Sequence, residues 1–337
     1  MCENKHLFIV EDEGLHSVIK LWESMSLQDQ LNWSGESART SIREAILPLL
    51  EKHGIARIKL LKSPESYPTQ ALQHLVIALS QQLGFIVPQS YDNNITTLIR
   101  NEGLNYRSHQ TRGHQTNSEL SFHSDRCDLT ILLYVRLAPD GGKLSVVSYK
   151  EAAEQLAQEN ETAFLQLFEE FPFDLREERI FASPRWNLRP VLWNIGQGLS
   201  GHYIRRFIMD SSRYPDCPQL SKTQLDALDS LDSTLDKLRE PRSFYPISGE
   251  LLILDNYHVM HARSEFTDTE IEGRLGIRVW VAPFHSKLLP QFLFPISGAL
   301  TPGCFRGGIG QGKEYHNRLG ELPLKESYGS PKTWKNQ

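Results

Sequence analysis

Glu119-Leu120-Ser121-Phe122-His123-Ser124-Asp125-Arg126-Cys127-Asp128 is the stretch on which the reading of this chain turns. His123 and Asp125 stand two residues apart. On an extended strand, positions i and i+2 share a face, so an imidazole and a carboxylate converge from one short piece of backbone. They supply two of the three ligands of a two-His-one-carboxylate facial triad. That geometry suits non-haem Fe(II) and leaves coordination positions open. A His-x-Asp triplet is common by chance, so the rest of the chain has to supply a second imidazole and a cation for an anionic co-substrate.

The surroundings read as strands between helices. Upstream, the patterning gives a helix over 39–53 stopped by Gly54, a strand over 55–61, and a helix over 72–83 ended by Gly84. Residues 1–35 are weakly patterned, with a short helix beginning near Ser26, and 92–118 read as polar loops beside the site. Downstream come apolar strands over 129–137 and 144–148, split by the turn Pro139-Asp140-Gly141-Gly142, and helices over 149–157 and 161–169. Short strands and turns fill 176–217, including 191–193 and 202–207. A helix covers 221–238, and strands cover 251–255 and 275–281. Many short strands without regular β-α alternation predict a mainly β fold with flanking helices, a double-sheet jelly roll.

The third ligand comes from Asn256 to Arg263. His258 and His261 differ by three, so on one strand they face opposite ways and only one can face the metal. His261, at the end of an apolar run where a loop begins, is the choice. The other histidines, among them His6, His16, His53, His74 and His316, read as surface or satisfied side chains. Arg274 and Arg278 share parity on the last strand. A guanidinium grips a carboxylate bidentately and stays charged at any working pH, which suits the distal end of a dicarboxylate.

Composition bounds the rest. The chain has 337 residues, 39% hydrophobic and 23% charged, with formal net charge −5. That is enough for a sizeable core, and the mild acidity argues against a nucleic-acid or anionic-membrane partner. Cys2, Cys127, Cys217 and Cys304 form no CxxC pair, which disfavours a zinc ribbon or a disulfide framework. Without an apolar leader after Met1, or an apolar run of roughly 20 residues, the expectation is a cytoplasmic protein with reduced thiols.

The ordered set Phe122-His123-Ser124-Asp125, Gly141-Gly142, Asn256-x4-His261-Ala262-Arg263 and Arg274-x3-Arg278 resembles the taurine dioxygenase-like branch of the Fe(II)/2-oxoglutarate-dependent oxygenases, which includes clavaminate synthase-like hydroxylases. The resemblance covers roughly residues 45–310, with a late Arg306-Gly307-Gly308. It implies one oxygenase domain over 1–337, flanked by an extension at 1–40 and a polar tail at 311–337. It implies a distorted double-stranded β-helix, with Fe(II) held by His123, Asp125 and His261. It also implies 2-oxoglutarate on the iron with its far carboxylate on Arg274, and Arg278 near the co-substrate or the substrate. Oxygen then drives decarboxylation to succinate and carbon dioxide and attack on a substrate C–H bond. Halogenating relatives lack the carboxylate found at Asp125, so its presence favours hydroxylation. Desaturation, epoxidation and ring closure are alternatives.

One departure stands out. Where the family shows an acidic residue and then Thr or Ser, this chain has Lys143-Leu144, with Ser145 one place later. A one-residue shift turns a strand side chain to the other face, so Ser145 is a weak substitute for the missing hydroxyl. Polar candidates for the substrate are Arg107, Gln115, Asn117, Glu119, Arg205 and Arg206. For Glu119 a solvated strand edge, and for the two arginines a surface pair, are the bland alternatives. The expected substrate is a small polar molecule: an amino acid, peptide or natural-product intermediate, with a sulfonate or aryloxyacetate as runner-up. A metal-binding sensor without turnover is the competing class. Replacing His261 by Ala should abolish iron retention and His258→Ala should leave it largely intact. Metal analysis after desalting checks this, and the reverse pattern would refute the assignment.

Overall fold

The longest apolar runs become the inner strands of one sheet. The structure is a computed structural model that describes residues 12–104, 113–176, 184–194, 198–268 and 273–324, with Ile9 and Glu178. The first sheet runs in the order Ile55–Lys59, Glu250–Asp255, Leu129–Arg136, Leu275–Pro283, Gly84–Val87. Thr96–Ile99 also pairs with Leu275–Pro283, and every pairing is antiparallel. Both faces of the three longest strands are covered, which is why they read as unbroken apolar runs and not as an alternation.

One face of this sheet is roofed by helices Glu13–Glu23, Arg39–His53 and Thr69–Gln81. Trp22, Ile42 and Leu75 from those helices pack with Ile131, Leu133, Ile253 and Val279. The opposite face carries Leu132, Tyr134, Leu252 and Leu254, which meet Leu144, Val146 and Val259 of a second sheet. That sheet has the order Ser243–Phe244, Leu144–Ser148, Val259–Arg263, Leu120–His123. Its outer residues Phe122, Val147, Met260 and Ala262 are covered by helices Tyr149–Glu159 and Lys222–Arg239. A Ser221–Gln224 capping box starts the second of these. The chain is therefore mainly β with flanking helices, and its two sheets face one another.

Three sequence expectations change. Residues 202–207 are not a strand: Ile204 makes a single bridge to His123, and helix Arg205–Asp210 follows at once. The 92–118 segment contains the strand Thr96–Ile99, while Arg107 lies outside the described residues. The front of the chain is more ordered than its weak pattern promised. Asp12 accepts from the Leu15 amide and starts Glu13–Glu23, and Leu15, Ile19 and Trp22 enter the core of the first sheet. The i, i+4, i+7 spacing of these three was legible as one helix face. Ser26 caps Leu27–Asn32 by accepting from the Asp29 amide.

Gly249 is needed where the second half of the chain enters the first sheet. Its φ is +77°, and a β-carbon would come within 1.9 Å of the Leu61 carbonyl oxygen. Because Trp22 is wholly buried in the core, Trp22→Ala should cost about 3–5 kcal/mol of stability. Denaturant unfolding checks this, and a loss within about 0.5 kcal/mol would mean the first helix is only an appendage.

Candidate metal centre and its cavity

His123 and His261 are direct cross-strand partners in the second sheet. Their rings sit 4.3 Å apart, tilted by 48°. The strand ends at His123, and the chain then brings Asp125 back toward the same point. One ligand atom from each of His123, Asp125 and His261 lies within 4.8 Å of the others. The Ser121 carbonyl is 2.8 Å from His123 Nδ1. With the proton on that nitrogen, Nε2 keeps its lone pair for a cation.

His261 and Asp125 are held in their ligating forms. Burial, then the His123 and Arg278 charges, outweigh Asp125 and push the His261 pKa down to about 3. Its imidazole is therefore neutral, as metal binding requires. Burial pushes the Asp125 carboxyl up, but Arg278, the two imidazoles and the Thr130 hydroxyl together hold it well below the usual carboxylate range. Two imidazoles and one carboxylate, converging and half-buried, fit a first-row divalent ion.

Asp125 is also fixed mechanically. The Thr130 hydroxyl donates to its Oδ2 at 2.7 Å. Asn256, fully buried, accepts the Asp125 amide at 2.8 Å through Oδ1 and donates to Thr130 Oγ1 at 3.1 Å. Arg278 Nη1 is 3.4 Å from Asp125 Oδ1, and Arg278 Nε donates to Gln89 at 2.8 Å. Trp280 Nε1 lies 3.4 Å from Asp125 Oδ2.

The cluster opens into a cavity of about 750 Å³ between the sheets. Arg274 lines it and is 4% exposed, and its Nη1 has no hydrogen-bond partner among the described residues. The Phe266 and Tyr134 rings flank its guanidinium at 5.0 and 5.8 Å. The buried Tyr134 hydroxyl likewise has no hydrogen-bond partner in good geometry. A buried cation beside a donor hydroxyl, in a cavity it shares with the metal cluster, fits a carboxylate.

The other sequence candidates fall differently. Ser145 does not reach the cavity: Leu144 and Val146 line it, and Ser145 turns away to meet Ser243 Oγ at 2.6 Å. Alternation along the strand is the reason, and the expectation of a co-substrate contact there is corrected. Glu119 is outside the cavity, exposed and paired with Arg239 at 2.9 Å. Asn117 is also outside it, and its carbonyl accepts from the Phe266 amide. Gln115, Arg205 and Arg206 do line the cavity. His258 sits in the turn before Val259–Arg263 beside Gly54 and away from the cavity, so the two histidines are separated by a turn as well as by parity. Arg263 donates to the Thr116 and Ser118 carbonyls. Sequence reasoning gave no role to Gln89, Thr130 or Trp280, and quoted Asn256 only as part of the motif that leads to His261. Only the buried polarity of Asn256 and Thr130 inside apolar runs could have signalled them.

Two facing sheets with this triad and a buried guanidinium fit a mononuclear non-haem iron site. The chain belongs to the family described as "Taurine catabolism dioxygenase TauD, TfdA family", whose model matches residues 22–280, and it is an Fe(II)/2-oxoglutarate-dependent oxygenase. It is similar to FR-33289 synthase of Streptomyces rubellomurinus (strain ATCC 31215), 24% identical over 299 residues that cover 84% of this chain and 87% of that protein. Among solved structures it resembles asparagine oxygenase in complex with Fe(II), 2S,3S-3-hydroxyasparagine and succinate. The TM-score there is 0.61 and the identity 16%, over 81% of this chain and 93% of the other. It also resembles the non-heme iron oxygenase OrfP in complex with Fe and alpha-ketoglutaric acid, with TM-score 0.52 and 18% identity, over 80% and 90% of the two chains.

Asn256→Ala and Thr130→Ala should each weaken iron binding roughly 10- to 100-fold, with Thr130→Ser close to wild type. Anaerobic iron titration checks this, and unchanged affinity in both alanine variants would show that the Asp125 scaffold is dispensable.

Proposed function

We propose that His123, Asp125 and His261 bind ferrous iron, and that Arg274 and Tyr134 grip the distal carboxylate of 2-oxoglutarate. The protein then hydroxylates a C–H bond of a small polar substrate, an amino acid, peptide or natural-product intermediate. The observation that carries the reading is the buried Arg274 guanidinium, whose Nη1 finds no partner among the described residues and which lines one cavity with the triad. Leaving a buried cation unpaired is costly, so the site is built for an anion. We read the two facing sheets as a distorted double-stranded β-helix with the cavity at its centre.

Bound iron, 2-oxoglutarate and dioxygen supply the oxidation, releasing succinate and carbon dioxide. The chain's own residues bind and orient. Arg278, which donates to Gln89 at 2.8 Å, keeps Asp125 ionised from the cavity wall. Tyr134 offers the hydroxyl that Leu144 cannot, since Leu144 occupies the strand position where relatives place Thr or Ser. The apolar wall of Leu132, Leu144, Val146, Leu252 and Leu254 keeps water from the co-substrate end. Asparagine oxygenase and OrfP, whose structures hold a hydroxylated asparagine and a hydroxylated arginine, support the amino-acid-like substrate class.

Fe(II) and 2-oxoglutarate added without oxygen should give a visible charge-transfer band, and air should then yield succinate. Arg274→Ala should raise the 2-oxoglutarate requirement roughly a hundredfold and Tyr134→Phe roughly tenfold, both well beyond Arg263→Ala. Equal effects of Arg274→Ala and Arg263→Ala on KM for 2-oxoglutarate would contradict the anchor. Absence of both band and succinate would contradict the function.

A further inference from the structure

The chain carries a net negative charge, yet among the described residues eight arginines and three carboxylates line its cavity. All three carboxylates are engaged. Asp125 faces Arg278, Glu178 is paired with Arg126 at 3.1 Å, and Glu102 with Arg100 at 3.5 Å. Arg205 is neutralised by Asp229 at 2.7 Å and Asp232 at 3.3 Å. Arg176 and Arg206 complete the cationic lining.

Backbone geometry sets them beside the metal cluster. Ile204 bridges His123 on the side opposite the His123–His261 pair, so Arg205–Asp210 leaves from the free edge of the second sheet. Arg206 has Asp210 at 3.5 Å. Arg176 lies over the Phe207 ring at 5.2 Å and makes no ion pair among the described residues. Its backbone adopts φ +54°, a left-handed conformation that a residue other than glycine rarely takes. Asp174, itself buried, pins it there by accepting the Arg176 amide at 2.7 Å while held by Arg213 and Tyr214. Burial and the neighbouring Arg206 charge lower the Arg176 pKa against the opposing pull of Asp174 and Asp210. Two guanidiniums thus stand close together at one cavity wall, one of them on strained backbone.

We propose that Arg176 and Arg206 form an oxyanion subsite that takes an anionic end of the substrate, a carboxylate, sulfonate or phosphonate, and so sets which C–H bond is presented to the metal centre. A field of one sign focused in a low-dielectric cleft raises the local concentration of such a ligand. The guanidinium fork matches an oxyanion in shape as well as in charge. The inference rests on the oxygenase reading for the identity of the ligand as substrate, but the anion preference stands by itself.

The test uses the enzyme loaded with Fe(II) and 2-oxoglutarate without oxygen. It is titrated with aminopropane carboxylate, sulfonate and phosphonate, each compared with the neutral carboxamide of the same skeleton. Binding is read from the change in the charge-transfer band and, independently of it, by calorimetry. At least one acid should bind roughly tenfold or more tightly than the amide, and the acid that binds best identifies the oxyanion. Arg176→Gln and Arg206→Gln should each erase most of that preference while leaving 2-oxoglutarate affinity unchanged, and Arg176→Lys should keep most of it. If Arg176→Gln does not fold, Arg206→Gln decides. Equal binding of the amide and every acid by the wild type overturns the proposal, as does a preference that survives in a folded glutamine variant. Loss of the band and of succinate formation in the wild type would instead strike the oxygenase reading, leaving the calorimetric comparison to judge the subsite.

Discussion

The His123–His261 pairing across two antiparallel strands is the constraint on which the rest of the site depends. Two imidazoles converge only while the register between Leu120–His123 and Val259–Arg263 holds, because a slip of one residue would turn either ring to the helix-covered face. Packing holds it. On the outer face, Phe122, Met260 and Ala262 are locked into a core with the helices that cover this sheet. On the inner face, Val146, the cross-strand partner of His261 on its other side, packs against the first sheet. Register is thus enforced from both sides, and the metal position is a by-product of apolar burial.

The carboxylate arm is built by a different principle. Asp125 lies beyond the end of its strand, where no ladder fixes it, and a polar network takes over. Thr130, Asn256, Arg278 and Trp280 all reach it, from the first sheet or its margin. Asp125 therefore ties the two sheets together across the cavity. A buried network of this kind is worthwhile only when every member is satisfied. Asn256 meets that condition by using its oxygen on the Asp125 amide and its nitrogen on Thr130.

Parity along a strand, a short-range property, picked out His261, whereas Asp125, expected on the same strand as His123, lies just past its end and reaches the cluster through the turn. Arg274 and Arg278 were readable for the same reason, and so was the warning that Ser145 would face away. What stayed hidden depends on contacts far apart along the chain. Asn256 and Thr130 are separated by 126 positions, and nothing local marks them as partners. Tyr134, which brings a hydroxyl into the cavity from the sheet opposite Leu144, has no linear signature. Glu119 shares parity with His123, but lies outside the paired strand and is drawn off by Arg239. Ile204 to Arg206 looked like another strand because β-branched and aromatic residues flank it. Tertiary context made it one bridge and a helix instead.

Crystals grown anaerobically with ferrous iron and 2-oxoglutarate, with anomalous diffraction collected at the iron edge, address the central claim most directly. A single peak is expected about 2.0–2.2 Å from one ring nitrogen each of His123 and His261 and from an Asp125 oxygen, with the distal carboxylate of the keto acid on Arg274. A peak ligated by His258, or one that leaves Asp125 paired only with Arg278, would contradict the account.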